Sequence, residues 1–132
     1  SNSTSCDRDT HEDAGHEMEI NITGDYNWVR GGQKSGTADP DHTLVMDINS
    51  DNNSVWFTQA GSGDKNLDLT INNDGNSVSI HQHYGAHTAT VTLDGTSPTD
   101  LNLIQTGGPS QTYNLMQNCL TIGGCSVSVT QQ

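Results

Sequence analysis

Eight residues return almost unchanged after 23 positions. Ile48-Asn49-Ser50-Asp51-Asn52-Asn53-Ser54-Val55 and Ile71-Asn72-Asn73-Asp74-Gly75-Asn76-Ser77-Val78 agree at six of eight positions. The same interval carries Gln59 to Gln82 and Gln82 to Gln105, each followed within two or three residues by a glycine (Gly61, Gly85, Gly107). It also carries Val55 and Phe57 to Val78 and Ile80, and these to Leu101 and Leu103. A period in the low twenties with alternating apolar residues marks a stacked repeat, in which each unit buries its apolar face only against its neighbours.

Followed along the chain, short apolar rows alternate with turn chemistry. Leu44, Met46 and Ile48 form one row, and Asp51-Asn52-Asn53 turns the chain. Val55, Phe57 and Gln59 form the next row, followed by Gly61 to Asp64. Leu67, Leu69 and Ile71 lead to Asn73-Asp74-Gly75-Asn76; Val78, Ile80 and Gln82 lead to Tyr84-Gly85. Ala89, Val91 and Leu93, then Leu101, Leu103 and Gln105, then Tyr113, Leu115 and Gln117, then Val127, Val129 and Gln131 continue the series. Side chains two apart on a strand share a face, so each row points one way, and two facing rows close a thin dry core. Nothing recurs at helical spacing, and the rows are rich in Thr, Val and Ile. The expected fold is all-β: a β-solenoid of stacked strand-turn-strand coils, about four of them, spanning residues 43–132.

Residues 1–42 read differently. The first 16 are polar and aperiodic, after which Met18, Ile20 and Ile22 alternate as a strand and Val29 marks a degenerate coil. This part is expected to be a polar arm with one or two strands, serving as a cap or donor strand. Composition fits a solenoid better than a globule. Hydrophobic residues make up 30% of the chain, too few for a thick core but enough for a thin interior row per coil. The formal net charge of −12 argues against nucleic acid, whose phosphates are bound by Lys and Arg, and against an anionic membrane surface. No apolar run approaches the ~20 residues that cross a bilayer, so membrane insertion is not expected. The opening on Ser1 without Met fits removal of a secretory leader, and three cysteines fit an oxidising compartment. Cys119 and Cys125 flank a short turn that a disulfide can span, which leaves Cys6 as a free thiol or a link to another chain.

By parity, Gln59, Gln82, Gln105 and Gln131 share a face with the valines and leucines beside them. A buried amide must be paired. Coils stacked at ~4.8 Å let equivalent amides bond one another along the stack, as Gln59, Gln82, Gln105 and Gln131 at one end of the strands, with Asn53, Asn76 and Gln111 at the other and Gln117 on a second strand. The Asn53-x5-Gln59-x-Gly61 and Asn76-x5-Gln82 segments, with Gln111-x5-Gln117 as a second-strand match, resemble the curlin repeat. The resemblance covers residues 43–132. It departs from the repeat at Leu67, Leu69 and Ile71, which lack a closing Gln, in its variable turn lengths and in its cysteines. It implies a secreted bacterial protein whose coils stack into an extracellular amyloid fibre of the biofilm matrix, with copies of itself, and a nucleator subunit, as partners.

The chain also carries candidate ligands for metal ions. His81, His83 and His87, and separately His11 and His16 among the acids of the arm, are candidate ligands for zinc. Neither set has the spacing of a structural zinc site, and no metal is assigned. Calcium is the other candidate ion, for Asp51-Asn52-Asn53 and Asp74-Gly75-Asn76, but these are ordinary turn residues. No nucleophile elbow, phosphate loop or inward pair of carboxylates is present, so no enzyme, catalytic residue or cofactor is expected. The alternative function is a monomeric capped solenoid, an adhesin or glycan- or ion-binding module, with Trp28, Trp56 and Tyr84 outward by parity.

Overall fold

The computed structural model describes residues 1–8, 17–34, 41–108 and 110–132. They form eleven parallel-paired strands and no helix, so no described segment is a helix long and apolar enough to cross a membrane. The strands are β1 (Ser3–Arg8), β2 (Glu17–Met18), β3 (Trp28–Lys34), β4 (His42–Leu44), β5 (Ser54–Ala60) and β6 (Lys65–Ile71). Then come β7 (Ser77–Gln82), β8 (His87–Gly95), β9 (Thr99–Gln105), β10 (Gln111–Cys119) and β11 (Cys125–Gln131). Odd-numbered strands make one sheet in the order β1-β3-β5-β7-β9-β11, and even-numbered strands make the other, β10-β8-β6-β4-β2. The fold is a β-solenoid. Four coils, from β3–β4 to β9–β10, are continued by β1–β2 before them and β11 after them. Residues 1–42 thus supply three strands to the same two sheets.

The register follows the interval read in the sequence. Val29, Val55, Val78, Leu101 and Val127 stand in one line across the first sheet. Gly31, Phe57, Ile80, Leu103 and Val129 form the next, and Gln33, Gln59, Gln82, Gln105 and Gln131 the third. Across the second sheet run Leu44, Leu67, Ala89 and Tyr113, with Leu69, Val91 and Leu115 alongside. These rows form one core in which residues from Val29 to Leu103 are almost wholly buried. Parallel strands with continuous columns let β-branched and leucine side chains pack on identical neighbours a coil away.

The chain visits both sheets before it climbs to the next coil, and the inward amides bridge the two sheets. Gln33 Nε2 lies 2.9 Å from the carbonyls of both Glu17 and His42, one in the coil before and one in its own. Gln59, Gln82, Gln105 and Gln131 each donate to a carbonyl of the preceding strand of the second sheet: Thr43, Asn66, Thr88 and Thr112.

Gly31 is the one place where a core column lacks a side chain. A Cβ there would meet the carbonyl and ring of Phe57, which fills the space of both coils. Phe57 has no solvent exposure. Replacing Phe57 with Ala should therefore cost about 3–5 kcal/mol, the range for emptying a fully buried aromatic site. Urea unfolding followed by circular dichroism measures it; a loss below about 1 kcal/mol would show that neighbouring coils close the gap.

Candidate functional site

The features that set what this molecule does are its inward polar columns and its two end coils. The first column is an asparagine ladder at one turn. Asn53 donates from its backbone N–H and Nδ2 to Asn27 Oδ1, both at 3.0 Å, and Asn76 does the same to Asn53 Oδ1, both at 2.9 Å. Asn2 precedes Asn27 and Thr99 follows Asn76 through the same backbone bond, at 2.9 and 2.7 Å. The side-chain donors also hold the turn on the facing sheet, through Ser50 for Asn27 and Asn53 and through Asn73 for Asn76. Each asparagine thus closes its own coil and docks the next one.

The second column is the glutamine ladder at the opposite turn. Gln33 donates to Gln59 Oε1 at 2.8 Å and Gln59 to Gln82 Oε1 at 3.0 Å. It stops there: Gln105 Oε1 is buried with no hydrogen-bond partner among the described residues. Gln111 and Gln117 do not join either ladder. Gln111 aligns with His87, Lys65 and His42, and Gln117 with the apolar pair Leu93 and Ile71. Sequence reasoning missed Asn2, Asn27, Gln33 and Thr99, because the interval widens to 26 between Gln33 and Gln59 and because Thr99 changes residue type.

Carboxylates stack as well. Asp51 Oδ1 accepts the Asp25 N–H at 2.6 Å, Asp74 Oδ1 that of Asp51 at 2.8 Å, and Asp64 Oδ1 that of Asp41 at 3.0 Å. The recurring turn aspartates read as calcium candidates are therefore engaged in joining coils. Among the described residues no three His, Cys, Asp or Glu side chains converge. His81 and His83 lie 5.8 Å apart on the outer face, where the His81 ring also sits edge-on to Trp56 at 4.4 Å. Partial burial, and then the neighbouring His83, hold the His81 pKa below the ordinary imidazole value. His87 is parted from this pair: it is buried, and its Nε2 donates to the Thr106 carbonyl. His11 and His16 lie outside the described residues.

Cys119 and Cys125 form a disulfide with Cα atoms 5.8 Å apart, tying β11 to the end of β10. Cys6 belongs to β1, opposite Gly31 in the register. The outer face of the first sheet carries an open cleft of about 530 Å³ lined by Arg30, Lys34, Trp56, Thr58, Ser5 and the two glycines of β3. Trp28, on β3 of the same sheet, and Tyr84, in the turn after β7, are exposed as well.

The end coils are open. β1 pairs only with β3, β2 only with β4, β10 only with β8 and β11 only with β9 among the described strands. At the last coil Tyr113, Leu115, Val127 and Val129 are only half-buried, and Met116, Leu120 and Ile122 are exposed. Residues 101–132 contain no Asp, Glu, Lys, Arg or His, in a chain of net charge −12. That run was visible in the sequence and is the signal that sequence reasoning passed over. Proteins blunt an exposed strand edge with charge, proline or a covering segment, and β10 and β11 have no charge or proline of their own. Compared with protein-family models, characterised proteins and solved structures, the chain matches none.

One buried cation makes a measurable prediction. Lys65 is 1% exposed, and its Nζ donates to the Ser62 and Gly63 carbonyls at 2.8 and 2.7 Å. Burial pushes its pKa down to about 8, with the adjacent Asp64 carboxylate opposing in part. Below pH 8 the amine is charged in both folded and unfolded chains, and burying the charge costs up to about 3 kcal/mol. Between pH 8 and the unfolded value of 10.5 the unfolded chain binds more protons, so this cost disappears as pH rises. Stability measured by urea unfolding from pH 7 to 10 should therefore climb more steeply in the wild type than in Lys65→Met. Equal slopes would contradict a buried ammonium.

Proposed function

We propose that this protein is a self-assembling structural subunit of a secreted, extracellular amyloid-like fibre, built by adding solenoid end to solenoid end. The observation that carries the reading is the uncharged, unblunted last coil, whose backbone edge and half-buried apolar row are left without a neighbour. A further parallel strand on each sheet would satisfy the backbone groups and cover Tyr113, Leu115, Val127 and Val129. The first coil offers strands of the same kind, with Met18, Ile20 and Ile22 half-buried. A surface that fits a different surface on the next copy does not close on itself, and it propagates as a filament.

The spacing of asparagine and glutamine, shared with curlin repeats, supports the same reading, since ladders of this type run along the stacking direction. The high acidity keeps free copies apart at low salt and is screened at higher salt, which makes assembly salt-dependent. Cys6 lies on the edge strand β1, where copies would meet. A capped binding module is the second reading, favoured by the cleft where Arg30 and Lys34 flank Trp56, an arrangement suited to acidic glycans.

Incubating the purified, initially monomeric chain with and without about 0.5 M salt, where the screening length falls to ~3–5 Å, and imaging by negative-stain electron microscopy tests the proposal. Unbranched filaments of uniform width, appearing faster in salt and on seeding, are expected. Particles that stay monodisperse under all conditions would contradict self-assembly and favour the binding module.

A further inference from the structure

We infer that the cleft on the outer face of the first sheet binds an acidic glycan, a sugar chain that carries carboxylates. The site gives the cleft of the second reading above its ligand and its contacts, and it stands whether or not copies stack.

Positive charge is scarce in this chain and is gathered at the cleft. Four Lys and Arg stand against 16 Asp and Glu. Lys65 is buried in the core, whereas Arg30 and Lys34 are exposed on the same face of β3 and line the cleft. Four residues apart on one strand, their Cα atoms are separated by about 13 Å. Among the described residues the Arg30 guanidinium makes no ion pair, although carboxylates are in fourfold excess over cations.

Between these two cations the outward position is Gly32. Gly31 belongs to the core, where Phe57 fills its space, but Gly32 has the opposite parity. Its missing side chain leaves the strand backbone as the floor of the cleft. The volume of about 530 Å³ falls within the ~300–1,000 Å³ typical of small-ligand sites. Thr58 and Ser5 add hydroxyls to the lining.

Trp56 stands opposite Arg30 in the register of β3 and β5. On its other side, His81 of β7 packs edge-on against the indole, with ring centroids 4.4 Å apart. The ring is therefore held from the β7 side while it lines the cleft on the β3 side. A sugar ring presents C–H groups, which the electron-rich face of an indole attracts. The guanidinium beside it suits a carboxylate, with two parallel N–H···O bonds. A neutral sugar would use the indole alone, and a dense polyanion is repelled by a net charge of −12. A carboxylate borne on a sugar ring uses both groups together.

Outward side chains stand off the sheet, whereas coils follow one another along the direction of strand pairing. The cleft thus faces sideways from the stack, stays open in a filament and recurs once per copy. A polymeric acidic glycan would then be held through many weak sites at once.

Titration calorimetry on the freshly purified, monomeric chain tests the inference, with a short oligogalacturonate, its methyl ester and inorganic sulfate as probes. The oligogalacturonate should bind with Kd of about 0.01–1 mM, and its methyl ester and sulfate at least about tenfold more weakly. Salt at about 0.5 M should weaken the oligogalacturonate at least about fivefold. Trp56→Ala and Arg30→Gln, both outside the core, should keep the wild-type circular dichroism and each lose at least about fivefold in affinity. Tyr84→Ala, an exposed aromatic outside the cleft, should stay within about twofold of wild type. No binding, equal binding of the ester or of sulfate, or unchanged affinity in either cleft variant would overturn the inference. Filaments from a chain that binds no oligogalacturonate would sink this site and leave self-stacking intact. Binding by a chain that never forms filaments would do the reverse.

Discussion

Everything in this structure depends on how a core two side chains thick deals with the polar groups at its margins. Where each coil turns, backbone donors and acceptors and side-chain amides are forced inside, and each must find a partner or cost about 1–3 kcal/mol. The asparagine ladder answers this at one turn and the glutamine ladder at the other. Because the asparagines donate to the coil before them and Gln33 and Gln59 donate to the coil after them, the partners exist only when coils are stacked in one register. The ladders therefore fix register as well as satisfy polarity. A one-residue slip would turn every amide and every valine outward together.

The same logic connects the interior to the ends. A coil is complete only between two others, and the first and last coils have one neighbour each. At the last coil the apolar row is half-covered, the glutamine ladder has run out, and charge is absent from residues 101–132. The interior thus resembles a segment cut from a longer stack. The chain's acids lie mainly before residue 52 in the sequence, and their mutual repulsion opposes indiscriminate association of free copies.

Much of this was legible because the solenoid period is written locally. The rows Val55-Phe57-Gln59 and Val78-Ile80-Gln82 differ little, and parity alone sets them inward, as Gln59 bonding Gln82 shows. Asn53 and Asn76 were legible for the same reason. What escaped did so where the period breaks. Asn27 and Gln33 sit 26 residues before their partners rather than 23, so their coil seemed degenerate although β3 stands in full register with β5. Gln111 and Gln117 carry the right spacing within one strand but stand in columns with Lys65 and Ile71, because neighbours across coils, not neighbours in sequence, decide a column. His87 seemed to accompany His81 and His83; the turn at Tyr84-Gly85 carries the chain to the other sheet, where His87 faces the core.

The most direct test of the central claim removes one rung of the asparagine ladder without removing volume. Asn53→Leu should lower unfolding free energy by at least about 2 kcal/mol in urea, since Asn76, Asn27 and Ser50 all lose a partner. Asn72→Leu, at an exposed position one coil on, should change it by less than about 0.5 kcal/mol. Equal stability of Asn53→Leu and the wild type would mean that apolar packing alone sets the register, and the account would be wrong at its base.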